Sequence, residues 1–149
     1  MKNALILCSI FLLLISCGKD DETTTPNAAG NLTMKINGTS WSGGIINSMI
    51  DETTDNLVVQ SFNSDPESFG FNIEDFTGLG DYPTSQGANF TGAFYTRKDK
   101  VVFSAGGTEI SYTVTSIEGM GVSKKAHGTF SGTMKSTSGE VLTITEGKF

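Results

Sequence analysis

The chain predicts an all-β fold, an antiparallel meander of about nine strands that closes into a barrel or packs as a two-sheet sandwich. Three observations carry this. Apolar and polar residues alternate in short runs, glycine-rich or polar turns separate the runs at hairpin-like lengths, and helical periodicity is almost absent.

The first run sets Leu32, Met34 and Ile36 against Thr33, Lys35 and Asn37. Asn37-Gly38 then supplies the positive φ angles of a two-residue hairpin turn. Closing that turn places Ile36 opposite Thr39, Lys35 opposite Ser40 and Met34 opposite Trp41, so the chain's only tryptophan joins the apolar face. Trp41 therefore reads as core rather than as a ligand platform. Alternation resumes in "NLVVQSF", after the polar turn "DETTDN" of Asp51 to Asn56. It continues with Phe69, Phe71 and Ile73 against Asn72 and Glu74, and with Phe90 and Phe94 against Thr91. Val101, Phe103 and Ala105 follow, then Ile110, Tyr112 and Val114 against Ser111, Thr113 and Thr115. Ala126, Phe130 and Met134 oppose His127, Thr129, Ser131 and Thr133, and a last strand runs through Leu142 and Ile144. Gly92, Gly128 and Gly132 fall on inward positions beside phenylalanines, where a missing side chain leaves room for a ring. So many large inward side chains predict a filled barrel more than a hollow one.

Ahead of this domain lies an address label. Lys2 and the apolar run Ala4 to Ile15 read as a signal peptide over residues 1–16. The run is shorter than the roughly 20 apolar residues that cross a bilayer, and the polar stretch from Gly18 to Glu22 closes it. Leu14-Ile15-Ser16-Cys17 resembles the bacterial lipoprotein box, which implies cleavage ahead of Cys17 and acylation of its sulfur and new amino group. Several acyl chains, each CH₂ contributing about 0.8 kcal/mol on insertion, give stable anchoring where one chain is marginal. Lys19, Asp20, Asp21 and Glu22, directly behind the cysteine, resemble the lysine-plus-acidic export tag of Bacteroidota surface lipoproteins, which implies display outside the outer membrane. Without such a tag these charges are a solvated linker. Residues 17–30 thus form lipidated cysteine and flexible tether, reaching on the order of 20 Å, and residues 31–149 form one β domain.

Charge narrows the partners. The chain carries a formal −6, and loss of residues 1–16 removes Lys2 and no acid, giving −7. An acidic chain without a basic stripe repels phosphate backbones, so nucleic acid is not an expected partner. Cys8 leaves with the signal peptide and Cys17 is acylated, leaving no thiol for a disulfide, a nucleophile or zinc.

Inside the domain, "LTMKINGTSW", "GLGDYPTS" and "AHGTFSGTMKSTSGEVLTITEGKF" resemble a family of small Bacteroidota lipoproteins of unknown function. Its pattern is a K-x-N-G-x-x-W start, a G-x-G-x-Y-P turn and a G-T-F…I-T-x-G-x-F end. The resemblance covers Leu32 to Phe149 and implies a lipocalin-like β fold, with no catalytic residues to carry over.

The residues themselves are poor in chemistry. His127 is the only histidine, alternation puts it on the polar face, and no G-x-S-x-G elbow accompanies it. A zinc site wants several nitrogen or sulfur ligands, and "DETTDN" lacks the spacing of a calcium loop. No metal or cofactor is expected. A hydrolase would have to rest on carboxylates such as Glu74 and Asp81; Asp75 would share the apolar side with Ile73. The leading expectation is a surface-anchored, non-enzymatic module that binds an extracellular partner, glycan or small ligand as part of an envelope assembly, with Tyr82 on a turn and Tyr95 on a polar face as the partly exposed aromatics. The alternatives are a carboxylate hydrolase and a structural envelope component.

Overall fold

The computed structural model describes residues 30–83, 92–106 and 109–149. Ten strands follow in chain order: β1 Asn31–Ile36, β2 Thr39–Asp51, β3 Asn56–Phe62, β4 Ser68–Ile73, β5 Gly80–Pro83, β6 Gly92–Thr96, β7 Val102–Gly106, β8 Ile110–Glu118, β9 Lys125–Ser136 and β10 Val141–Lys148. Of the two architectures expected, the barrel is the one formed. β1, β2, β3, β4, β6, β7, β9 and β10 neighbour one another in that order, and β10 pairs with both β9 and β1, so eight antiparallel strands close a ring and β5 and β8 are added to it. Closure leaves the ring itself without a free edge, and the outer edge of the sheet passes to β5, which pairs with β8.

The opening hairpin has the register expected from its turn. Asn37 and Gly38 have φ of 49° and 83°, and the pairs are Ile36 with Thr39, Lys35 with Ser40 and Met34 with Trp41. Positive φ at both turn residues matches the right-handed twist of the flanking strands. At the far end of the domain β9 serves two strands on one edge. Phe103 and Ser104 of β7 pair with Ser136 and Lys135, whereas β8 pairs along residues 125–132, so β7 and β8 lie end to end opposite β9. β5, read from the sequence as part of a turn, is a short strand on the outer edge of β8.

Alternation fills the ring. Phe69, Phe71, Phe103, Tyr112 and Met134 are essentially inaccessible, and Trp41, Phe130 and Phe149 are buried with them. Phe71 stands at the centre, its ring 4.7 Å from Tyr112 and 4.9 Å from Phe149, while Phe69 stacks on Phe130 at 5.1 Å. Gly128 makes room for the Phe149 ring: a Cβ there would come within 2.1 Å of the Thr113 carbonyl and 2.7 Å of that ring. Phe149 then ties the C-terminus to β9 through reciprocal backbone bonds with Gly128 of 3.0 and 3.1 Å.

One strand has the opposite phase to that expected. In β6, Phe94 is 42% exposed and Tyr95 is buried, the reverse of the reading from sequence. Gly92 pairs with Asn72 and Gly106 on the outer face, not the inner one. Phe90, the other anchor of that reading, lies outside the described residues. The stretch Ala93-Phe94-Tyr95 is apolar on both parities, so alternation alone does not decide it. The neighbouring strand does, because Gly70 of β4 leaves a gap that the Phe94 ring covers, and Tyr95 finds an acceptor in Glu67. Asp75 is corrected as well. β4 ends at Ile73, and Asp75, with φ of 54°, turns out into solvent instead of following Ile73 inward.

Candidate binding surface

With aromatic rings packed at its centre, the barrel offers its chemistry at its ends and on its outer wall. One end is closed by Glu67, which the sequence reading did not single out. Its carboxylate accepts from Trp41 Nε1 at 2.9 Å and Asn63 Nδ2 at 3.0 Å, and also from the Tyr95 hydroxyl and the Lys98 amide. Burial pushes this carboxyl up, but the donors from Asn63, Tyr95 and Trp41 outweigh it and hold Glu67 below its ordinary value. The Tyr95 hydroxyl is driven the other way, by burial first and then by the neighbouring carboxylate. Asn63 preorganises the loop by accepting from the Asp65 and Glu67 amides, both at 3.0 Å. Beside this knot the Arg97 guanidinium lies 5.1 Å over Phe103 and binds Asp99 and Glu140. Every group here is satisfied within the chain, which makes it a lock on the barrel end.

The candidate acids and base are apart. Asp81 is exposed and accepts from Thr113 Oγ1 at 2.7 Å. Glu74 sits at the end of β4, and His127 Nε2 is 3.7 Å from Glu118. In the 51–56 turn Asp51 accepts from the Thr53 amide at 2.9 Å, and hydrogen bonds from Thr53 and then Thr54 lower it to about 2. No group of three metal-ligating side chains occurs among the described residues.

Tyr82 is half-buried on β5, its ring 5.4 Å from Phe76, its hydroxyl donating to the Gly78 carbonyl at 2.7 Å and accepting from the Thr77 amide at 3.2 Å. It clasps the turn that precedes it. Tyr95, expected to be partly exposed, is 2% exposed inside the barrel. Cys17 and the tag residues Lys19, Asp20, Asp21 and Glu22 lie outside the described residues.

The outer wall has two unlike sides. Across β2, β1, β10, β9, β8 and β5 one lateral row reads Ser42, Thr33, Lys148, Thr129, Thr113, Asp81. This side is hydroxyl-rich and charged, and two shallow grooves of about 360 and 330 Å³ flank β10 there. A bulge at Glu146, with φ of 53°, aims its carboxylate at Lys35, 2.7 Å away. Across β2, β3, β4, β6 and β7 the wall is different. Its three lateral rows are Gly44, Phe62, Ser68, Thr96, Val102; then Asn47, Gln60, Gly70, Phe94, Ser104; then Met49, Val58, Asn72, Gly92, Gly106. None of these fifteen positions carries a charge, on a chain in which 17% of residues do. Phe62 is 50% exposed, Val102 52%, and Ile46, at the β2 bulge, 64%.

Alternation set Asn72 outward but Phe94 and Gly92 inward, and only strand order could show that the uncharged side chains form one surface. No protein-family model, curated protein or solved structure matches the chain.

Proposed function

We propose that the protein is a lipid-anchored, non-enzymatic binding module of the outer membrane, displayed on the cell surface and engaging an extracellular partner through its outer wall. The anchor is Cys17, and Lys19, Asp20, Asp21 and Glu22 direct display, as the lipoprotein-box and export-tag resemblances imply. The end motifs fit the small Bacteroidota lipoprotein kind that they resemble. One observation carries the binding reading: aromatic rings occupy the centre of the barrel, while an uncharged wall with exposed Phe62, Phe94, Val102 and Ile46 faces solvent. The Phe94 ring covers Gly70 beside Gln60, two residues along β3 from Phe62, so these two rings share one stretch of wall, and exposed apolar surface of that kind marks an interaction site.

The test is retention of purified protein on isolated envelope and extracellular-polymer fractions. Phe62→Ala, at a half-exposed position, should leave the fold intact and weaken retention about tenfold, the scale of one aromatic anchor. Retention insensitive to this substitution, or release of hydrolysed product from the polymer, refutes the reading.

A further inference from the structure

We infer that the uncharged wall binds a neutral glycan, with Phe94 as the stacking platform and Gln60 and Asn47 as hydrogen-bonding partners; this rests on the reading of the protein as a binding module. A sugar ring presents a face of C–H groups edged by hydroxyls. Its recognition calls for a flat aromatic surface beside side chains that both donate and accept, with no ionic group required. The central row of the wall has that composition in one line: the Asn47 amide, the Gln60 amide, the gap at Gly70, the Phe94 ring and the Ser104 hydroxyl.

The placement of Phe94 is the decisive detail. A Cβ at position 70 would lie 2.5 Å from Phe94 Cζ, and 3.0 and 3.1 Å from the two Cε atoms, so the distal edge of the ring reaches over the neighbouring strand. The side chain therefore lies along the wall instead of standing off it, and 42% of the residue stays open to solvent. It is held toward Gln60, the residue on the far side of Gly70. A ring fixed in this way loses little side-chain freedom when a ligand stacks on it. Covering a strand glycine also protects the sheet, so this ring serves the fold and the surface together.

Charge and side-chain chemistry choose the occupant. A basic partner would be drawn to the acidic remainder of the chain, and an acidic one would meet Lys135 beside Ser104, a cation already paired with Glu109 at 2.8 Å. The exposed apolar side chains Phe62, Phe94 and Val102 are interleaved with the amides of Asn47 and Gln60 and the hydroxyls of Ser68, Thr96 and Ser104. A stable protein interface has a continuous apolar core, whereas a ring set among neutral donors and acceptors suits sugar rings.

Affinity electrophoresis of the purified protein through gels containing neutral polysaccharides (a β-1,3-glucan, a β-1,4-glucan, an α-1,4-glucan, a mannan and a galactan) tests the inference, with polygalacturonate as the acidic control. At least one neutral polymer should retard the protein and polygalacturonate should not. Phe94→Leu keeps Gly70 covered by an apolar side chain while removing the ring, and should weaken retardation tenfold or more. Gln60→Ala should weaken it several-fold, and Thr129→Ala on the opposite wall should leave it unchanged. Circular dichroism of each variant shows that it remains folded. Retardation by none of the neutral polymers overturns the inference, as does retardation sensitive to Thr129→Ala and insensitive to Phe94→Leu. If the glycans fail while envelope retention still depends on Phe62, the binding-module reading stands and the glycan assignment falls; if both fail, both fall.

Discussion

Trp41 joins the apolar core to the polar knot at the barrel end, and its replacement separates the two contributions. The indole is 7% exposed, lies 6.5 Å from the Phe69 ring and 6.3 Å from Tyr95, and donates to the Glu67 carboxylate at 2.9 Å. Trp41→Ala removes the whole payload and should cost about 3–5 kcal/mol, the usual range for a buried large aromatic. Trp41→Phe keeps a ring against Phe69 and Tyr95 but leaves Glu67 without its indole donor. A hydrogen bond to a charged group contributes about 1.5–3 kcal/mol, so the phenylalanine variant should lose at least an amount in that range, with the smaller ring adding the cost of lost buried volume. Urea unfolding followed by far-ultraviolet circular dichroism suits both variants, since each lacks the chain's only tryptophan. Acidification adds a second test. Glu67 is held below its ordinary value of 4.5, so its stabilisation is fully present above that pH and is lost as pH falls through the lower, folded-state value. The penalty of Trp41→Phe should therefore be largest at neutral pH and shrink below about pH 4.5. A penalty unchanged from pH 7 down through that range would refute the ionised-acceptor account, and a Trp41→Ala cost under about 1 kcal/mol would refute burial of the ring.

Two further outcomes are expected. Gly128→Ala, whose methyl group would meet the Thr113 carbonyl and the Phe149 ring, should destabilise the barrel by at least the roughly 1–3 kcal/mol of ordinary overpacking, read from the same unfolding curves. Cys17→Ala should accumulate as uncut, unlipidated precursor by mass spectrometry, whereas alanine at Lys19, Asp20, Asp21 and Glu22 should leave the lipid in place and protect the protein from external protease on intact cells.

The polar knot and the wall show different ways in which structure exceeds local pattern. Glu67 follows a proline in a loop of polar residues, where nothing local separates it from Asp65. Beyond Asn63 in its own loop, it acquires its partners because Trp41 on β2, Tyr95 on β6 and the turn after β6 converge at one barrel end. A carboxylate meeting four donors is a tertiary event. Likewise Asn47, Gln60 and Ser104 are ordinary outward residues of three strands, and only their lateral order makes them one row with Phe94.

Period-two alternation is a property of a single strand, and it was sufficient to sort inside from outside along β1, β3, β4, β8, β9 and β10. Asn37-Gly38 likewise determined a hairpin register by itself, because the φ angles of two residues dictate how the flanking strands pair. Where both parities are apolar, as in Ala93-Phe94-Tyr95, local pattern is degenerate and the phase passes to the neighbours: Gly70 offers a gap on one face and Glu67 an acceptor on the other. Strand order, closure of β10 on β1, the insertion of β5 beside β8 and the gathering of uncharged side chains on one wall were decided by tertiary structure alone. Hydrogen bonds between strands join residues far apart in the chain, and no local spacing records which strand will lie beside which.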